Sequence, residues 1–307
     1  MNEALALSTA KSREIIKDFN SKETVFPVHK QLEPFIFSYL HGKIDFSFIE
    51  KFAARPIPTG NIVMILRFGS DITLYDQHFK NPKKYSFFVV GVQTLHKLSY
   101  LHTPENVDNL IISFKPGGFS RIFNRSAFDL ADKIVDLSEL VPPGFMGEIK
   151  NLTTLESIEE RIERLNTVLL NLLERSTYNT SKNHIEVLDQ IHKSQGNISL
   201  NDICKNLGIT LRTIERSFRV NVGISPKEYI RIIRFNHIFQ YLLEHRFEGW
   251  QEVIHRFGYF DQSHFIRDFK AVTGHTPGEF INFTEHGMIF LDRYQLVFRL
   301  ENLKVRL

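Results

Sequence analysis

Two rhythms of apolar residues run along the chain. Short dense runs come first: 61–68 (NIVMILRF), 71–76 (DITLYD), 85–93 (YSFFVVGVQ), 96–102 (HKLSYLH) and 109–116 (NLIISFKP). They are rich in Val, Ile, Phe and Tyr and are punctuated by Gly, Asn, Asp and Pro, which predicts strands. Several such strands close together predict an antiparallel sandwich or barrel. Residues 1–24 read as a polar, helical lead-in, while 117–124 and 126–134 read as short helices before the Pro142-Pro143-Gly144 break.

The rhythm then lengthens. Leu155, Ile158, Ile162, Leu165, Leu169 and Leu172 recur at alternating spacings of three and four, predicting a helix over 154–176 with one apolar seam. Two readings stay open for that seam: packing on its own domain, or contact with a second subunit. Residues 176–183 (STYNTSKN) read as a linker, and everything from there to about 283 reads as helical.

This helical part repeats itself at a shift of 51 residues. Arg216 falls on Arg267, Phe218 on Phe269, Arg219 on Lys270, Gly223 on Gly274, Ser225 on Thr276, Pro226 on Pro277, Glu228 on Glu279 and Tyr229 on Phe280. Each copy follows a short amphipathic helix and a glycine. In the first, Ser199 caps a helix whose Leu200, Ile203, Cys204 and Leu207 share a face; Gly208 turns the chain, and Thr210 caps the next helix. In the second, Trp250, Val253, Ile254 and Phe257 lead to Gly258, and Asp261 is the cap. Helix, glycine turn, helix is the helix-turn-helix plan. Between the copies, Ser225, Pro226 and Glu228 form a start signal for a helix of 226 to about 245. At 1.5 Å per residue it spans about 30 Å, close to the ~34 Å between successive major grooves on one DNA face.

Charge and composition narrow the picture. Net charge is +3, placed unevenly: residues 1–181 hold 21 basic and 21 acidic side chains, residues 182–282 hold 13 and 11. Bulk charge therefore gives weak support for nucleic acid, and a basic surface must come from local placement. The single cysteine, Cys204, excludes an internal disulfide and a cysteine-based zinc site. No apolar run is long enough for a membrane span and no secretory leader is evident, so a cytoplasmic protein with no membrane partner is expected. Histidines 29, 41, 78, 96 and 102 lack a tight His-x-His pattern with a following carboxylate, and no metal or other cofactor is expected.

The segment GYFDQSHFIRDFKAVTGHTPGEF (258–280) resembles the C-terminal signature of AraC/XylS regulators, and SPKEYIRIIRF (225–235) resembles that family's linker helix. The resemblance covers about 100 residues. More loosely, 31–40, 86–91 and 113–123 resemble the sensory half of one subgroup. The resemblance implies promoter binding, usually with activation, and in the wider family an N-terminal barrel that binds an effector or mediates dimerisation. The expected architecture is therefore α+β. Residues 1–180 would form a cupin-like antiparallel β-barrel with helices, for sensing or dimerisation. Residues 183–283 would form an all-α domain of two helix-turn-helix units, and 284–307 a tail that could pair with the N-terminal sheet or a second subunit.

On the first reading helix, near 210–220, Arg212, Thr213, Glu215 and Arg216 point away from the apolar face. The resemblance makes 212, 215 and 216 base-facing: arginine can bridge guanine O6 and N7, and glutamate can accept from cytosine N4. Arg216 and Arg267 share a repeat position and hence a role, either phosphate anchoring or an internal ion pair. On the second, near 261–271, Gln262, Ser263, His264 and Arg267 are the candidates. Gln262 suits adenine or a phosphate. Ser263 suits backbone contact or capping, and His264 a phosphate or structural donor more than a metal ligand. Lys227 and Arg231 read as solvated. Ile238 and Ile254 stand where the family mostly has small residues, and Trp250 where it is usually aliphatic. Bulk there must be absorbed by neighbours.

Three functions compete. The first is a regulator of double-stranded DNA, with RNA polymerase, a small effector and a homodimer partner all left open. The second is a repair methyl-transfer enzyme on the same module. It needs an accessible nucleophilic cysteine, whereas Cys204 lies on an inward helix face; no catalytic motif stands out, so a non-enzyme is expected. The third is an N-terminal half that assembles subunits and senses nothing.

Overall fold

The structure, a computed structural model, describes residues 23–45, 52–56, 58–75, 82–94, 99–102, 106–178, 181–244, 249–280, 288–291 and 296–299. The expected lead-in helix lies mostly outside these residues. The strands are β1 (Glu23–Phe26), β2 (Ile36–Asp45), β3 (Phe52–Pro56), β4 (Val63–Arg67), β5 (Ile72–Tyr75), β6 (Lys83–Tyr85), β7 (Phe87–Val90), β8 (Ser99–His102), β9 (Asn106–Phe114), β10 (Ile134–Asp136), β11 (Met288–Leu291) and β12 (Leu296–Arg299). One sheet has the order β1-β2-β9-β4-β7-β10 and the other β11-β12-β3-β8-β5-β6. The fold is α+β, as expected, but the barrel needs correcting. Among the described residues the strands form two six-stranded sheets with free edges, and no ladder closes them into one cylinder. The segment 126–134 is corrected too: a short 3₁₀ turn at Ala127–Leu130 runs into β10, which pairs with β7, in place of a second helix.

The first sheet has two working faces, as strand alternation requires. Met64, Leu66, Leu110, Ile112 and Phe114 are buried against helices. Ile65, Phe88 and Val90 look the other way, toward Ile72, Leu74 and Tyr85 of the second sheet. On the helix side lie α1 (Gly118–Phe123), α2 (Leu137–Leu140), α3 (Pro143–Asn151) and α4 (Ile158–Arg175). The apolar seam falls on α4 and just before it. Ile162, Leu165 and Leu169 are buried, and Leu155, Ile158 and Leu172 pack against the same core. Tyr39 on β2 donates its hydroxyl to Asn166 of α4 at 2.8 Å. The seam is thus used inside the chain.

The helical part follows as α5 (Lys182–Lys193), α6 (Leu200–Leu207), α7 (Leu211–Asn221), α8 (Pro226–Glu244), α9 (Trp250–Arg256) and α10 (Gln262–Thr273). Its packing divides inside α8. One buried cluster runs from Leu32 in the N-terminal half to Ile233, taking in Ile203, Ile214 and Phe218 of the first helix-turn-helix unit. A second runs from Phe235 to Phe280 and holds the other unit. In that second core Ile238 is fully buried, and Trp250 lies 5.3 Å from the Phe265 ring and 5.7 Å from that of Phe269. The bulky positions are absorbed by an aromatic core. Beyond it, the tail returns to the N-terminal half: β11 and β12 form a hairpin, and β12 pairs antiparallel with β3, Val297 opposite Arg55.

Candidate nucleic-acid interface

Each reading helix is fixed at its start by a side-chain cap. Thr210 accepts the amide of Thr213 at 3.2 Å, and Asp261 accepts that of His264 at 2.7 Å. Gly208 and Gly258 supply the left-handed turns before them, at φ +63° and +66°. Apolar anchors then set the rotation about each helix axis. Ile214 and Phe218 bury one face of α7, and Phe265 and Phe269 bury one face of α10. The other face follows from the helical period. Arg212, Thr213, Glu215 and Arg216 are exposed on α7, and Gln262, Ser263 and Arg267 on α10. The structure thus collects seven of the eight predicted residues on two outward helix faces. His264 is half-buried, its ring 5.1 Å from that of Tyr259 and its Nε2 3.6 Å from Asp268. No ion pair of Arg216 or Arg267 is seen among the described residues, and Arg267 donates only to the Ser263 carbonyl, at 3.3 Å. Both guanidinium groups therefore remain available to an anionic ligand.

The two units are locked together. Arg231 on α8 donates to Asp268 on α10 at 3.0 Å, which corrects its reading as a solvated charge. Arg234 donates to the Gly196 carbonyl from Nε and Nη2, at 3.0 and 2.7 Å, and lies over the Tyr259 ring at 5.0 Å. Gly258 sits so close to Asn197 that an added Cβ would meet its amide at 2.4 Å. Capping boxes start α8 and the turn after α10. Glu228 accepts the Ser225 amide at 2.9 Å, and Glu279 that of Thr276 at 2.7 Å. The Thr276 amide and hydroxyl hold the Glu279 carboxyl below its ordinary range.

The first reading helix is also gripped by the N-terminal half. The last carbonyls of a helix lack intrahelical donors. On α7, that of Asn221 accepts the Gly117 amide at 3.1 Å and that of Val220 accepts the Ser120 hydroxyl at 3.3 Å. Arg219 stacks 3.8 Å above Phe128. On the opposite side, His184 of α5 is buried, and its Nδ1 lies 2.9 Å from Ser217 Oγ. Burial pulls this imidazole down to about 4, so it is neutral at physiological pH. Asn236 of α8 donates to the Thr59 carbonyl at 3.4 Å.

Two features escaped the sequence. Phe260, beside the cap of α10, is 92% exposed. In the N-terminal half, Arg67 and Asn109 are directly opposed on β4 and β9, two residues along from Ile65 and Ile111, so they share the face that looks toward the second sheet. Arg67 is 3% exposed, and burial lowers its guanidinium to about 10, with Asp71 opposing the shift. It stays charged at neutral pH, donating from Nε to the Ser70 carbonyl at 2.9 Å. Its Nη2 and the Asn109 Oδ1 are buried without a partner. An arginine in a strand gives no hint of such burial in sequence. Among the described residues, no three metal-capable side chains cluster, and no helix is long and apolar enough to cross a membrane.

Comparison with known proteins divides along the same lines. Residues 203–282 match a family described as a helix-turn-helix domain, and residues 24–136 match a domain of unknown function (DUF6597). The lactose operon transcription activator of Staphylococcus xylosus is 23% identical over 249 residues, spanning 80% of this chain and 78% of that one. The Msm operon regulatory protein of Streptococcus mutans is 32% identical over 112 residues, 36% of this chain and 40% of that protein. A solved structure of ToxT from Vibrio cholerae shares 14% identity, covering 82% of this chain and 100% of that one at a TM-score of 0.43.

Proposed function

We propose that the chain, whose residues 203–282 match a helix-turn-helix family and whose relatives are named as operon regulators, is a transcription regulator of the AraC/XylS type that reads two adjacent major grooves, with α7 in one and α10 in the next. One observation carries this reading. Two capped helices present exposed polar faces, and a single 19-residue helix, tied to the second unit through Arg231 and to the loop before α6 through Arg234, holds them apart. Arg212, Thr213, Glu215 and Arg216 act in the first groove and Gln262, Ser263, His264 and Arg267 in the second. Arg212 reads a base, Arg216 and Arg267 hold phosphates, and His264 mainly braces its helix. The relative named as an activator supports activation, through contact with RNA polymerase. On this reading the protein is a cytoplasmic, non-enzymatic regulator, and a homodimer would duplicate the pair of sites.

Selection of bound sites from a random duplex pool tests this. The full chain is the right material, because the first unit shares its core with the N-terminal half. Two short motifs about one helical turn apart are expected. A single motif, or none at low salt, would sink the two-groove reading. In the same assay Arg212→Ala should relax the choice at one base pair, for a loss of about 1–3 kcal/mol of discrimination.

A small effector acting between the sheets is supported by Arg67 and Asn109. An unpaired N–H beside an unpaired carbonyl oxygen suits a hydroxyl, which accepts from one and donates to the other. Leaving both buried and unmet costs about 1–3 kcal/mol each, which a ligand would recover. The relative named for a lactose operon makes sugars the first compounds to screen. One should raise the melting temperature of the protein, and Arg67→Met should abolish that rise while leaving effector-free DNA affinity intact. A rise that survives the substitution would place the effector elsewhere.

A further inference from the structure

We infer that Phe260 is a specificity-determining residue of the second reading unit, and that it selects thymine by apolar contact with the C5-methyl group. This rests on the proposed placement of α10 in a major groove.

The side chain is held outward by its neighbours. Tyr259 on one side is 7% exposed, packed 5.2 Å from the Phe265 ring and beneath Arg234. Asp261 on the other side is committed to capping the helix. Gly258 before them turns the chain at φ +66°. With both flanking residues fixed, Phe260 cannot fold back without giving up the Tyr259 packing or the cap. It therefore stands 92% exposed, two residues before Gln262 and three before Ser263.

Its place matters more than its exposure, since isolated apolar residues on a surface are ordinary. Six large apolar side chains are conspicuously exposed among the described residues, and two of these, Leu211 and Phe260, stand at the N-terminal ends of the two reading helices. That end of a recognition helix is the one that meets base edges. The major groove offers one apolar group there, the thymine methyl, and a phenyl ring is among the side chains that match it. Gln262, two residues on, can pair with an adenine edge. The polar and apolar groups at this helix start are thus suited to an A·T-containing step.

The test uses the full-length protein and the duplex enriched by selection. Each thymine of the second half-site is replaced singly by deoxyuridine, which removes only the methyl group. Wild-type protein should lose about three- to tenfold in affinity at one position and nothing elsewhere. Phe260→Ala should be blind to that replacement, and Phe260→Leu should keep part of the sensitivity. If deoxyuridine is neutral everywhere while both motifs are enriched, this inference fails and the two-groove reading stands. If Phe260→Ala loses affinity equally on every sequence, the ring contacts the backbone or a protein, and the inference is overturned. If no second motif is enriched, both fall together.

Discussion

Gly118→Ala should destabilise the protein by about 3 kcal/mol or more, among the larger effects a single methyl group can have. The added Cβ would lie 2.0 Å from the Phe35 carbonyl oxygen and 2.8 Å from its carbon. Backbone cannot swing aside as a side-chain tip can, and this oxygen already accepts the Lys115 amide at 2.8 Å. Helix α1 would have to slide away. Its Phe119 and Phe123 rings stack at 4.6 Å, and both meet the Phe114 ring edge-on, so the shift would open the core. It would also pull the Gly117 amide and the Ser120 hydroxyl off the last turn of α7. Chemical denaturation should therefore show a lower midpoint, with weaker binding at the first half-site. Gly144→Ala and Gly147→Ala are the controls. Both lie in α3, where a Cβ meets nothing within 4 Å. The same change there should stabilise by up to ~1 kcal/mol through helix propensity. Equal effects at all three glycines would refute the argument.

The reading helices were legible in the sequence because their determinants are local. A cap, a glycine turn and two apolar anchors four residues apart define each one within a dozen positions. The repeat then states the pattern twice. What stayed hidden depends on partners distant in sequence. The leucine seam at 155–172 specifies a buried face and not what covers it, so packing within the chain and subunit contact looked alike. Arg231 looked solvated because its partner, Asp268, lies one helix-turn-helix unit away. The strand at 134–136 had too few residues to show alternation, and β7 supplies its ladder. The place of the tail at β3 is a choice among edges that composition does not encode. Phe260 was passed over for a different reason. An aromatic next to an aromatic anchor reads as core, and only the fixed geometry of Tyr259 and Asp261 turns it outward.

On the proposed two-groove reading, the length and bracing of α8 should make the spacing of the two half-sites the most demanding variable in binding. Nineteen residues span about 28 Å. Arg231 to Asp268, Arg234 to Gly196 and the close fit of Gly258 on Asn197 brace the two units against each other. Inserting five base pairs between the motifs turns the second groove to the far side of the duplex. A rigid protein cannot follow, and bending or twisting DNA over so short a length costs several kcal/mol. Binding should then fall to that of one unit alone, a loss on the order of 10²–10⁴ in affinity measured by mobility shift or fluorescence anisotropy. Inserting ten base pairs is the sharper experiment. It restores the face of the helix but adds ~34 Å of separation. Two proteins joined by a flexible contact could recover binding at that spacing, as each would still meet its own groove. One chain with two fixed readers could not, because α8 has no slack to give. Continued weakness at ten base pairs therefore supports a single chain spanning both grooves, and recovery would move the two sites onto two subunits.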